Sequence, residues 1–206
     1  MKIKRTANAG VLLSIDNQTI LLDGVCSQLS PYLGTPRDIY DELIKSYPDA
    51  VCFTHSHIDH YDEDFARRYE SDTKRHIITP KSPDVVQTGD VSIYTVATRH
   101  IGKTDVEHAS FIIKASRCVY FAGDATPIWL KNVSDLPSPD VLILPYAYAT
   151  TRSSWQMTKQ LGAKLIVLVH MPRQDEDAHG IWNMVRATID NDASVVIPDM
   201  AQTIEY

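Results

Sequence analysis

The chain has 206 residues, 44% of them hydrophobic, and its 20 basic and 26 acidic residues leave a net charge of -6. That suits one domain over residues 1–206, or two tightly fused halves, around a real core. The acidic balance and scattered basic residues disfavour long nucleic acid as a partner, and no run approaches the ~20 apolar residues of a membrane span.

Met1-Lys2-Ile3-Lys4-Arg5-Thr6 has no apolar run behind it, so it does not read as a secretory signal. Cys26, Cys52 and Cys118 are odd in number and far apart. A cytoplasmic protein without disulfides is expected.

Residues 2–6 and 9–15 read as strands, Asp16-Asn17 as a turn and 18–22 as the returning strand. Asp23 then stands either near a site or in a turn, bonding to local amides. Thr35 is an expected N-cap with Pro36 at the first helical position, and Ile39, Leu43, Ile44 and Tyr47 recur at helical spacing. The apolar run Ala50-Val51-Cys52-Phe53 is a short buried strand, and a helix is expected from Tyr61 to about Tyr69. Further strands are expected at 76–79, 91–97, 110–114 and 118–121, with loops at 80–89 and 101–108. Strands 141–144, 165–169 and 195–197 then alternate with helices 153–161 and 176–190, the second containing Gly180. Strands first, then strand–helix alternation, predict an α/β or α+β sandwich.

Between the strand at 50–54 and the helix after it lies Thr54-His55-Ser56-His57-Ile58-Asp59-His60. His55 and His57 are two apart and can face one way from extended backbone. His100, Asp124 and His170 each close an apolar strand, the place where layered α/β folds gather ligands and catalytic groups. Together these are seven N and O donors, enough for two metals with one ligand shared. Imidazole and carboxylate suit zinc, and also manganese or iron. His108 competes with His100 for one position, and His100 is favoured because it stops directly at a strand end. His108 is otherwise a pocket or supporting residue.

His55-Ser56-His57-Ile58-Asp59-His60 resembles the HxHxDH signature of the metallo-β-lactamase fold hydrolases. His100, Gly123-Asp124 and His170 follow in that family's order, and 9–13 with 20–23 is similar to its first hairpin. The resemblance implies a four-layer αββα sandwich of two similar halves, roughly 1–115 and 116–206, with the metals at one edge. It implies that His55, His57 and His100 hold the first ion, that Asp59, His60 and His170 hold the second, and that Asp124 bridges them. Asp59 would also be catalytic, orienting the nucleophilic hydroxide that the two divalent ions generate, Zn2+ before Mn2+ or Fe2+.

The expected activity is hydrolysis of a small, anionic ester, lactone or phosphodiester. The chain looks like small stand-alone hydrolases such as the lactonase that opens ascorbate 6-phosphate. A nuclease or cyclic-nucleotide phosphodiesterase is the alternative enzyme, and a non-catalytic, metal-stabilised binding protein is the alternative class. Arg173 is the candidate for pairing with a substrate anion. Tyr146 and Tyr148 are candidates for meeting an oxyanion. A homo-oligomer stays open.

Overall fold

The structure, a computed structural model, describes residues 1–102, 105–132 and 137–206. The first sheet holds β1 (Lys2–Arg5), β2 (Val11–Ile15), β3 (Gln18–Leu22), β4 (Ala50–Cys52) and β12 (Thr203–Glu205), in the order β12-β1-β2-β3-β4. The second holds β5 (Val85–Thr88), β6 (Val91–Arg99), β7 (Glu107–Lys114), β8 (Cys118–Phe121), β9 (Val141–Pro145), β10 (Leu165–Val169) and β11 (Val195–Val196), in the order β11-β10-β9-β8-β7-β6-β5. Both sheets mix parallel and antiparallel pairs. The helices are α1 (Arg37–Lys45), α2 (Glu63–Thr73), α3 (Trp129–Asn132), α4 (Arg152–Gln160) and α5 (Ile181–Ile189).

Strand periodicity builds the layers, because alternate side chains leave opposite faces. In the second sheet Ile93, Phe111, Ile113, Phe121, Ile143 and Val167 meet Leu13, Ile20, Leu22 and Cys52 of the first. Ile112, Tyr120, Leu142, Leu144, Ile166 and Leu168 face the other way, onto Trp155 of α4 and Ile181 and Val185 of α5. Leu21 and Val51, from the outer side of the first sheet, pack on Ile39 and Leu43 of α1 and Phe65 and Tyr69 of α2. This is the αββα sandwich expected.

Several local expectations shift. Thr35 does not cap α1, because its hydroxyl accepts from the Cys26 amide, and Pro36 takes the cap position instead. The start of α2 moves to Glu63, where the Asp62 carboxylate accepts from the Phe65 amide. The strand expected at 76–79 reduces to one bridge between Cys52 and Ile78, while the loop expected at 80–89 contains β5. Gly180 sits at φ +66, so the last helix begins only at Ile181, its amide and that of Trp182 held by the Asp177 carboxylate. The loop expected at 101–108 includes Lys103 and Thr104, which lie outside the described residues, and its last two residues, Glu107 and His108, open β7.

The topology fixes where a site can form. β6 and β8 each run antiparallel to β7, and β8, β9 and β10 are mutually parallel. The carboxyl ends of β6, β8 and β10 therefore share one edge. The end of β4 reaches the same edge, since the Ala109 amide donates to the Thr54 carbonyl at 3.0 Å.

Candidate metal centre

Four chain segments converge at that edge. The β4–α2 loop brings His55, His57, Asp59 and His60; His100 follows β6, Asp124 follows β8 and His170 follows β10. His170 adopts φ +61, a left-handed turn unusual for a residue with a side chain and one that re-aims the chain as the strand ends.

Two groups have ligand atoms all within 4.8 Å of one another: His55, His57 and His100; and Asp59, His60 and His170. His55 Nε2 lies 3.0 Å from His57 Nδ1. Asp59 Oδ2 lies 3.3 Å from His170 Nε2. One oxygen, Asp124 Oδ2, is 3.5 Å from His60 Nε2 and 3.6 Å from both His100 Nε2 and His170 Nε2, so it stands between the groups.

Hydrogen bonds fix the imidazole tautomers. His60 Nδ1–H donates to Asp23 Oδ2 at 2.8 Å, and His100 Nδ1–H donates to the Ile101 carbonyl at 2.6 Å. The Thr54 hydroxyl donates to Asp23 Oδ2 at 2.6 Å, so it receives the His55 Nδ1–H at 3.0 Å. Each of these rings therefore turns an Nε2 lone pair inward. The Nε2 atoms of His60, His100 and His170 are buried and make no hydrogen bond among the described residues. Buried polar atoms normally find a partner, and three converging imidazole nitrogens beside two carboxylates are a cation's donor set. Tetrahedral ligands about 2.0–2.1 Å from zinc sit roughly 3.3 Å apart, close to the spacings observed. The residues fit divalent metal, and these His/Asp clusters are capable of chelating it.

Asp23, His55 and His60 also fall within 4.8 Å. Asp23 is nonetheless fully buried and already accepts from the Thr54 amide, the Thr54 hydroxyl and His60. It orients ligands, and of its two sequence readings the one near the site holds. Asn8 is a positioning residue the sequence did not reveal. Its amide donates to Asp59 Oδ2 at 3.3 Å, and its carbonyl receives the His170 amide and Arg5 Nη2. Arg5 is buried and also bonds the Ala7 and Pro198 carbonyls, so the turn carrying Asn8 is held firmly.

His108 has its own task. Its Nε2 accepts the Asp124 amide at 3.0 Å, so Nδ1–H donates to Thr98 at 2.7 Å, and Ser110 continues the chain to the Ala122 carbonyl. Burial, with the charges of His100, His60 and His57, outweighs Asp124 and pushes His108 down to about 3. Burial likewise holds His55 far below the usual histidine range. Burial would also disfavour charge on His60, but Asp124 and Asp23 override it and raise that group well above its usual value. Asp124 is lowered, its own burial outweighed by His170, His60 and His55, and Asp59 is lowered too, its burial outweighed by His170 and His60.

The remaining sequence candidates scatter. Tyr148 is buried and its hydroxyl donates to the Thr126 carbonyl. Tyr146 stands beside His170, with ring centroids 6.1 Å apart. Arg173 is gripped by Asp175 at 2.6 and 3.1 Å and by Glu176 at 2.9 Å.

A family model described as a β-lactamase superfamily domain matches residues 2–170. The chain belongs to that superfamily. Among solved structures, one of a possible metal-dependent hydrolase from Veillonella parvula aligns with TM-score 0.75 at 18% identity, covering 100% of this chain and 99% of that one. An isothiocyanate hydrolase from Delia radicum gut bacteria aligns with TM-score 0.72 at 17% identity, covering 100% and 99%. A metallo hydrolase from the archaeon Ignicoccus hospitalis aligns with TM-score 0.69 at 18% identity, covering 100% and 98%. At such identities the superfamily likeness shows the shared sandwich. No curated protein matches the sequence. No helix of the described residues is long and apolar enough to cross a membrane.

Proposed function

We propose that the chain is a dinuclear metal-dependent hydrolase of a small ester, lactone or phosphodiester. The observation that carries this is Asp124 Oδ2, 3.5–3.6 Å from His60, His100 and His170 and so facing both triads at once. His55, His57 and His100 would hold one ion, Asp59, His60 and His170 the other, and Asp124 both. Two such ions, zinc before manganese or iron, lower the pKa of a coordinated water and polarise the oxygen of the scissile bond.

The chain's own residues do the rest. Asp59 accepts a hydrogen bond from the attacking water and steers its lone pair, and Asn8 keeps that carboxylate in place. His108 and Asp23 hold Asp124 and His60 in register. Structural metal sites are usually closed around one ion, whereas two adjacent ions sharing a carboxylate at a sheet edge can each expand to take a further, water ligand, which favours turnover over a purely structural role.

The test is metal content of protein purified without added metal, together with hydrolysis before chelation, after chelation and after reconstitution. The panel is a p-nitrophenyl ester, a lactone, bis(p-nitrophenyl) phosphate and a small isothiocyanate, the last because one structural relative is an isothiocyanate hydrolase. Two ions per chain and turnover that returns with metal are expected. A chain that holds no metal and melts identically with and without chelator would refute the proposal.

A further inference from the structure

We propose that this site takes an uncharged carboxylic ester or lactone with a short apolar acyl group, and that Tyr32 and Tyr146 form a phenol pair that receives its carbonyl oxygen. The inference rests on the hydrolase reading above and narrows it to one substrate class.

The pair flanks His170. Tyr32, from the loop before α1, sets its ring edge-on to that imidazole with centroids 4.4 Å apart. Tyr146 approaches from just past β9, and the two hydroxyl oxygens are 3.1 Å apart. Two phenols joined in this way share one hydrogen bond, which leaves one O–H for a third acceptor. Both rings are half-buried and pack against His170, whose Nε2 meets Asp59 and Asp124. A neutral donor held there suits an oxygen that gains charge only as the reaction proceeds.

The loop that supplies Tyr32 also supplies an apolar wall. The Tyr32 amide donates to the Leu29 carbonyl at 2.7 Å, turning the chain back on itself. Leu29 and Ile58 are 43% and 55% exposed. With Ser56, His57 and Asp59 they line a cleft of about 290 Å³. Large apolar side chains left in water beside a polar centre mark a ligand surface, and that volume fits a short chain.

Charge points the same way. Arg173 is matched by two carboxylates, and Lys81, which lines the cavity beside His55, pairs with Glu107 at 3.3 Å. Apart from the ions themselves, a phosphodiester or an acyl carboxylate would bring its permanent charge to cations already neutralised. A carboxylic ester brings none. In the reaction the water oxygen bonds to the carbonyl carbon and the C=O π pair moves onto the oxygen facing the phenols. That pair then returns as the C–O bond to the alkoxide breaks. One water proton ends on the alkoxide, giving the alcohol, and the other leaves as the acid ionises.

The test compares p-nitrophenyl butyrate, p-nitrophenyl hemisuccinate and bis(p-nitrophenyl) phosphate on the metal-loaded chain. Butyrate should lead both others in kcat/KM by about tenfold or more, since they carry charge beside the apolar wall of Leu29 and Ile58. Tyr32→Phe and Tyr146→Phe should each lower kcat on butyrate by about 10- to 100-fold with KM nearly unchanged, and the double variant should be no worse than the poorer single one. Leu29→Lys should shift preference toward the hemisuccinate. As a readout apart from turnover, butyramide should perturb the near-ultraviolet absorbance of the wild-type tyrosines and not that of the double variant. Preference for either anionic substrate, or full activity in both Phe variants, overturns the inference while metal-dependent turnover keeps the hydrolase reading. A chain with neither metal nor turnover removes both.

Discussion

Replacing Asp23 by Asn keeps the shape of a fully buried support of the site and changes only its hydrogen-bond sense. Asp23 accepts three donors: the Thr54 amide at 2.7 Å, the Thr54 hydroxyl at 2.6 Å and His60 Nδ1–H at 2.8 Å. The Asn oxygen can keep the Thr54 amide, but its NH2 then faces the other two donors. The metal-free protein has an inexpensive escape. His60 moves its proton to Nε2, and the Thr54 hydroxyl turns to His55, which moves its own proton likewise. Both rings then aim N–H where a lone pair stood. Metal must reverse this and leave two buried donors facing donors, at about 1–3 kcal/mol each. Rotation of the Thr54 hydroxyl relieves part, so a loss of about 2–3 kcal/mol is expected, roughly 30- to 150-fold in affinity. Competition with a chromophoric chelator measures it, beside urea denaturation of the metal-free variant. Affinity within about threefold of wild type, or a metal-free form destabilised as much as the loaded one, would show that Asp23 does not set the tautomers.

Other expectations follow from the same network. His108 sits at about 3 when folded against an ordinary 6.5. Between those values the unfolded chain binds a proton that the folded chain refuses, so stability falls as pH drops below 6.5, by up to about 1.4 kcal/mol per unit. Urea titrations of chelated protein at pH 5 and 7 should show this slope, to which the likewise depressed His55 adds, and His108→Gln should reduce it; an unchanged slope counts against His108 as a source. Asn8→Ala should weaken only the ion held by Asp59 and His170, by about tenfold, which two-site titration calorimetry resolves. Equal weakening of both ions would place the role of Asn8 elsewhere. Gly123 has φ +55, and a Cβ there would come within 2.5 Å of Thr54 Cγ2. Gly123→Ala should cost about 2–4 kcal/mol, and a loss under 1 kcal/mol in denaturant titration would mean the Thr54 corner yields easily.

The histidine cluster was legible because it is local, six residues behind a buried run. His100, Asp124 and His170 were legible because each follows the end of an apolar strand, and strand ends of one direction share an edge. What remained hidden depends on distance along the chain. Asn8 meets Asp59 across 51 positions and Tyr32 meets Tyr146 across 114, and neither residue type carries a spacing that announces such a partner. His108 was misplaced because Glu107 and His108 look like loop. In the sheet His108 pairs with Thr98 and lies two residues from Ser110, one polar patch on a face that is otherwise apolar. Short edge strands such as β5 and β12 escaped notice for a related reason: with one neighbour each they need little hydrophobic pattern.

The last stretch of chain contributes to both sheets. After β10, the segment packs α5 on one outer face, adds β11 to the second sheet and crosses to lay β12 beside β1, where the Met1 ammonium donates to the Tyr206 carbonyl at 2.9 Å. On the way Pro198 receives Arg5, which steadies the Asn8 turn. The family match ends at residue 170, just where this strap begins. Cutting there would keep every ligand and lose the clasp. It would bare the flanks of β1 and β10 as templates for intermolecular pairing, and it would slacken Asp59 from the far end of the molecule.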